Sequence, residues 1–218
     1  MTQSLTLSQK IAEQLTKHNY VIVKDVLKVD KSLESSFSDF GKAFDKLTAF
    51  RNSRSDDFLS RKVDVGDFDV KSETVCPALD KSHPQFENKD LYKNIFLKAL
   101  IQFTVSSLPG GMGTRHVEAL LSRHDHSVDA LFAHTDHIDT GVSAIEWVVQ
   151  YNISRTPEKV CGGEIQILER REVVAKALLE KPLDCYFIND HKFMHATKEL
   201  TIEKGGVRDT LILRIFKG

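Results

Sequence analysis

The apolar positions of this chain change their period partway along it. Thr6 and Gln9 have capping-box spacing ahead of a short helix that buries Ile11 and Leu15. Tyr20 to Leu27 (YVIVKDVL) is β-branched and apolar, the composition of a strand. Leu33, Phe37, Phe40, Phe44 and Leu47 then recur at spacings of 4, 3, 4 and 3, which predicts a long helix with one apolar, core-facing stripe. A further helix is predicted from Asn88 to Phe103, with Leu91, Ile95, Ala99 and Phe103 on its buried face. Between these helices, Arg51 to Ser82 is polar and irregular, with one strand near Arg61 to Val70. Leu108 to Gly113 reads as a turn and lacks the Gly-Lys-Ser/Thr ending of a phosphate loop.

From Arg115 onward the two-residue period takes over. Strands are predicted at Val117 to Ser122, Ser143 to Ile153, Glu164 to Leu168, Asp184 to Ile188 and Thr210 to Phe216. Gly162-Gly163 suits a tight turn before the third of them. A short helix is expected from Glu172 to Leu179, stopped by Pro182. Closely spaced strands that end without a helix favour a sandwich or jelly roll over a parallel sheet. The fold class is therefore mainly β with packed helices.

Composition narrows the function. The 218 residues are long enough for one domain with a substantial core. Charged residues make up 28% and nearly cancel, leaving a net charge of −1 with no basic block, so no nucleic-acid partner is expected. The apolar runs are too short for a membrane span, and the opening Met-Thr-Gln-Ser-Leu-Thr has no export-signal pattern. Cys76, Cys161 and Cys185 are odd in number and have no Cys-x-x-Cys spacing, which argues against a disulfide framework or a cysteine zinc site. These features fit a reduced, cytoplasmic protein.

The candidate chemistry lies in the last third. His134 and Asp136 form a His-x-Asp pair, and residues two apart on extended chain point the same way. His195 would supply a second imidazole from another strand. Two imidazoles and one carboxylate on one side of a metal leave positions open, the arrangement that non-haem Fe(II) oxygenases use. Arg208 opens the apolar final strand; a guanidinium inside a barrel is costly unless it meets an anion, and its planar fork matches a carboxylate. Thr210, on the same strand face, would add a hydroxyl. The implied co-substrate is 2-oxoglutarate.

The segment from about Ala133 to Phe216 resembles the Fe(II)/2-oxoglutarate-dependent dioxygenases, and within them the branch that includes bacterial isoleucine hydroxylases acting on free amino acids. The matching stretches are HTDHIDTG, YNIS followed by CGGEIQIL, KPLDCYFINDHKFMHAT and GGVRDTLILRIF. The resemblance implies a double-stranded β-helix (a cupin-like jelly roll) as one domain over residues 1–218. Residues 1–110 would be mainly helical support and 111–218 the catalytic jelly-roll core. It makes His134, Asp136 and His195 the iron ligands and catalytic residues, and Arg208 the co-substrate arginine. Fe(II), 2-oxoglutarate and O2 are the implied cofactors, with ascorbate as reductant in vitro. Relatives that halogenate replace the ligand carboxylate with Gly or Ala; Asp136 is present here, so hydroxylation is expected. The residue after the pair is His137, where that branch carries Gly.

The other candidates concern substrate. Arg123 on its strand is a candidate for a substrate carboxylate, and Glu146, Trp147 and Tyr151 for the pocket wall; a surface charge for Arg123 and a core role for Trp147 and Tyr151 are the plain alternatives. His124 and His126 have cupin spacing without the following Glu, and His191 reads as a surface group or a support to the site. The expected substrate is a free L-amino acid or similar small molecule. A residue in a peptide or on a carrier, or a non-catalytic 2-oxoglutarate sensor, are the competing readings.

Overall fold

The computed structural model describes residues 5–24, 36–42, 61–71, 74–78, 89–110, 113–136 and 145–217. In chain order the elements are α1 (Leu7–His18), β1 (Tyr20–Val23), α2 (36–42), β2 (Arg61–Lys71), β3 (Thr74–Pro77), α3 (Lys89–Tyr92) and α4 (Ile95–Ser106). They are followed by β4 (Arg115–His124), β5 (Leu131–His134), β6 (Ile145–Arg155), β7 (Val160–Gly162), β8 (Ile165–Glu169) and β9 (Glu172–Ala177). The last four are β10 (Cys185–Asn189), β11 (Met194–Thr197), β12 (Leu200–Ile202) and β13 (Arg208–Phe216).

Seven strands form a main sheet in the order β1-β10-β6-β13-β4-β2-β3, and four form a smaller sheet in the order β5-β11-β8-β9. Alternation divides the side chains of the main sheet between two faces. Val117, Ala119 and Leu121 of β4, Val149 and Tyr151 of β6, and Leu211, Leu213 and Ile215 of β13 pack with Ile11, Leu15, Phe40, Leu97 and Leu100 from the helices. The opposite face turns Val148, Tyr186, Ile188 and Ile212 toward Ile165 and Ile167 of the smaller sheet. This is the expected jelly roll with helices on one sheet.

The capping box forms as read: the Thr6 side chain accepts from the Gln9 N–H and the Gln9 side chain answers the Thr6 N–H. Phe37 and Phe40 pack on Phe96, with ring centroids 5.0 and 5.9 Å apart, whereas Leu33, Phe44 and Leu47 lie outside the described residues. The 20–27 strand is seen as Tyr20–Val23, and residues 25–27 are outside the described set.

Two expectations need correction. The helix expected from Asn88 to Phe103 is broken at Asn94, whose side chain caps a new helix by accepting from the Leu97 N–H at 3.0 Å. The break changes the phase, so Phe96, Leu97, Leu100 and Ile101 are buried while Ile95 is 69% exposed. The helix expected at Glu172 to Leu179 is instead strand β9, paired with β8 through a turn at Arg170 and Arg171. Both turn residues have positive φ (50° and 74°), which reverses the chain and lets cross-strand pairing override helix propensity. The strands expected within the first 110 residues at 20–27 and near 61–70 correspond to β1 and β2, which lie with β3 in the main sheet.

Candidate active site

Strand pairing builds the triad. β5 and β11 are antiparallel with His134 directly opposite His195, so the two imidazoles lie side by side, tilted by 49° with ring centroids 4.3 Å apart. The chain leaves β5 after His134 and brings Asp136 back over both rings. Asp136 Oδ1 lies 3.5 Å from His134 Nε2 and 4.0 Å from His195 Nε2. One donor atom from each residue falls within 4.8 Å of the others, a spacing at which three ligands can share one ion. Asp136 and His195 are buried and His134 is half-buried, leaving one side of the cluster open.

His134 and Asp136 are held from behind. His134 Nδ1 lies 2.9 Å from the Phe132 carbonyl; with the proton there, the lone pair of Nε2 faces the cluster. The Asp136 N–H donates to Asp190 Oδ1 at 2.9 Å, and Asp190 is fully buried at the end of β10. Arg214 of β13 donates through Nε to Asp136 Oδ2 at 2.9 Å and through Nη1 to Glu118 of β4 at 3.1 Å. Burial alone would raise the Asp136 carboxyl, but the His134 bond and the Arg214 and His195 charges outweigh it and hold it well below its ordinary 3.8. The carboxylate is thus ionised at any pH at which the protein would work.

Arg208 sits further along the same inner face of β13. It is 2% exposed, and its Nε and Nη2 have no hydrogen-bond partner among the described residues. Burial and then the neighbouring Arg155 lower its pKa to about 10, so it still carries full charge near neutrality. Gly163 makes room for this guanidinium, because a Cβ there would lie 2.9 Å from Arg208 Nη1. Arg155 secures the turn that carries Gly163, donating through Nη2 to the Val160 and Gly162 carbonyls at 2.9 and 3.0 Å. Thr210 follows on the same face and is buried. Tyr186 of β10 also faces inward, donates to Gln150 Oε1 at 3.0 Å, and feels the charges of both Asp136 and Arg208. Its ring centroid is 6.1 Å from that of His195.

The substrate candidates fare differently. Arg123 is not in the barrel interior: register puts it opposite Asp209 on the other face, where Nε and Nη2 bind the two Asp209 oxygens at 2.7 and 2.8 Å. Tyr151 is also misplaced as a pocket residue, since it lies in the core under α4 with its hydroxyl 2.8 Å from Thr104 Oγ1. Trp147 joins the same core. Glu146 is paired with Arg115, at the point where β6 shifts register against β13. His124 and His126 do not converge: the first is near Ser122, the second pairs with Asp125. His191 is exposed in the turn after β10, and His137 lies outside the described residues.

Tyr186, Asp190, Glu118 and Arg214 went unread in the sequence. Alternation along β13 from Arg208 would have placed Arg214 on the same face, and that signal was available.

Residues 137–214, which include His195 and Arg208, match the family model for 2OG-Fe dioxygenases. The match covers 78 of the 218 residues, so over that segment the chain is similar to the 2OG-Fe dioxygenases, and the jelly roll and the His/Asp/His cluster accord with that likeness. No curated protein matches it in sequence. Among solved structures it is similar to IDO from Bacillus thuringiensis, with a TM-score of 0.70 at 12% identity over 99% of this chain and 97% of that one. It is also similar to the Fe(II)/α-ketoglutarate-dependent dioxygenase TqaL, with a TM-score of 0.60 at 12% identity over 95% and 86% of the two chains. A prolyl hydroxylase from Trichoplax adhaerens, in complex with a hypoxia-inducible-factor peptide fragment, gives a TM-score of 0.57 at 16% identity, covering 96% and 89%. At these identities the likeness is one of fold.

Proposed function

We propose that the protein hydroxylates a free L-amino acid or a similar small molecule, with His134, Asp136 and His195 as the Fe(II) ligands and Arg208 as the anchor for 2-oxoglutarate. The observation that carries the reading is the buried Arg208, two of whose N–H groups have no partner among the described residues, inside the same barrel as the triad. An unpaired buried guanidinium is costly, and a carboxylate across Nε and Nη2 would satisfy both groups. Thr210 would add its hydroxyl to that anion, and Tyr186, its hydroxyl donating to Gln150, lines the same inner face.

The donor set fits the metal, because two imidazoles and one carboxylate without thiolate suit Fe(II). Bound Fe(II) and 2-oxoglutarate supply the oxidising chemistry, in which O2 is consumed, 2-oxoglutarate leaves as succinate and CO2, and one oxygen enters a substrate C–H bond. The chain fixes the ligands, holds Asp136 ionised and keeps the co-substrate end dry. For the substrate, the inner face carries Glu118, Asp67 and Asp69 together with Arg214 and His116. Both signs of charge suit a zwitterion. Three thiols without a disulfide fit a cytoplasmic setting, and among the described residues no helix is long and apolar enough to cross a membrane.

A peptide substrate is the second reading, and one observation favours it. Phe132, next but one to His134 on β5, is 88% exposed at the edge of the smaller sheet. The test is succinate release with Fe(II), ascorbate and 2-oxoglutarate across the common L-amino acids, with product masses recorded. Stimulation by one amino acid with a gain of one oxygen is the expected result. Stimulation only by peptides would replace it with the second reading, and 2-oxoglutarate binding without turnover would make the protein a sensor.

A further inference from the structure

The carboxylate of Asp136 is divided between two tasks. Oδ1 faces the two imidazoles, while Oδ2 accepts from Arg214 Nε at 2.9 Å. Arg214 is itself held, because its Nη1 donates to Glu118 at 3.1 Å and its side chain is only 17% exposed. Glu118 and Arg214 are direct cross-strand partners on β4 and β13. The backbone at Asp136 is pinned separately, by the bond from its N–H to buried Asp190.

We propose that Arg214 is a positioning residue that makes Asp136 a one-oxygen ligand, and that its guanidinium is a preformed receptor for a small free carboxylate. The inference rests on the metal reading given above. A guanidinium fork engages both oxygens of a carboxylate well, so an unbraced Asp136 could turn either oxygen or both to a cation. With Oδ2 committed to Arg214, only Oδ1 remains. Each part of the receptor survives removal of the Asp136 side chain: Glu118 holds Arg214, Asp190 holds the backbone, and strand pairing holds both imidazoles. The space vacated has a charged donor on one side and two imidazoles on the other. Formate has the carboxylate that fits it.

The experiment uses the full-length protein with Co(II) as the probe, read by its visible absorption and by titration. Wild type should bind Co(II), and loss of that binding on His134→Ala tests the metal reading independently of Arg214. Asp136→Ala should bind Co(II) weakly, and millimolar formate should restore affinity with a saturable dependence. Asp136→Ala with Arg214→Met should show no formate response. Arg214→Met alone should lose about 10- to 100-fold in Co(II) affinity, the range for residues that orient a ligand from behind. Because Arg214→Met strands Glu118, the Glu118→Gln/Arg214→Met variant is measured beside it, with circular dichroism to establish folding. Arg214→Lys keeps the charge without the fork and should recover only part of the affinity. Equal formate rescue with and without Arg214, or wild-type Co(II) affinity in the folded double variant, would overturn the proposal.

Discussion

Gly163→Ala is the most economical probe of the proposed co-substrate end, because it adds one methyl group and replaces neither a member of the metal cluster nor the arginine. Gly163 has φ +75°, a left-handed conformation that costs an L-residue roughly 1–2 kcal/mol. The new Cβ would lie 2.8 Å from Leu200 Cδ1 and 2.9 Å from Arg208 Nη1. Unstrained contacts between such atoms need about 3.5 Å, so something must move by roughly half an ångström or more. Leu200 is buried with Val160 and Ile202, and Arg208 is buried too, so neither side yields freely. A guanidinium displaced by that amount keeps one of two carboxylate bonds. Losing one charged hydrogen bond, worth about 1.5–3 kcal/mol, predicts a drop of about 10- to 100-fold in 2-oxoglutarate affinity.

Gly110→Ala separates this effect from backbone strain. Gly110 has φ +86°, and a Cβ there would meet nothing within 4 Å, so it bears the conformational cost alone. Both variants should lose a few degrees of melting temperature, about 2–4 °C per kcal/mol for a chain this size. Calorimetric titration with 2-oxoglutarate should find the affinity lowered only in Gly163→Ala. Unchanged affinity there, or an equal loss in Gly110→Ala, refutes the assignment of Arg208 to the co-substrate.

The remaining expectations follow from other contacts. His134→Ala or Asp136→Ala should abolish succinate formation, measured by coupled assay; full activity in either sinks the ligand assignment. Arg208→Ala should raise the 2-oxoglutarate requirement about 100-fold or more, since two charged hydrogen bonds go with it. Tyr151→Phe should cost about 1 kcal/mol of stability through loss of the Thr104 contact and leave kinetic constants unchanged, whereas a raised substrate KM would return it to the pocket. The Asp67 hydrogen bond leads a set of contacts that raise the His116 pKa above its ordinary 6.5, against the opposing effect of burial. A raised folded-state pKa contributes stability that is present in full below 6.5 and is lost as pH rises through the folded value. Wild type should therefore exceed His116→Gln in melting temperature by more at pH 5.5 than at pH 8.5, and an equal gap at both would refute the pairing.

What could be read in advance was local. The capping box of α1 needs only residues three apart, and it forms as written. The strand β8 was legible because one face of it is buried and the other is not, so hydrophobicity alternates. β5, β7, β11 and β12 have only three or four residues each, too few to display a period. β9 was misread because its Ala and Lys, with Leu178 and Leu179 just after it, favour helix in isolation, while pairing with β8 decides otherwise. Propensity is worth tenths of a kcal/mol per residue, roughly, and tertiary pairing exceeds it. The four candidate site residues stand out because the chemistry demands their types and order, not because their positions were computable.

Register explains the two misplaced substrate candidates and the missed arginine together. Along β13, Arg208, Thr210, Ile212, Arg214 and Phe216 share the inner face, and Asp209, Leu211, Leu213 and Ile215 the outer one. Pairing Asp209 with Arg123 then commits Arg123 to the outside, and parity on β6 commits Tyr151 likewise. The same parity joins the two arginines. Six residues of strand separate them by about 20 Å along the backbone, so their long side chains start from opposite ends of the inner face: Arg208 at the end proposed for the co-substrate, Arg214 beside the Asp136 carboxylate. A one-residue slip in β13 would turn both arginines outward at once and bring Asp209 inward in their place. The apolar outer face of this strand, packed against the helices, is therefore what keeps the chemistry on the inner one.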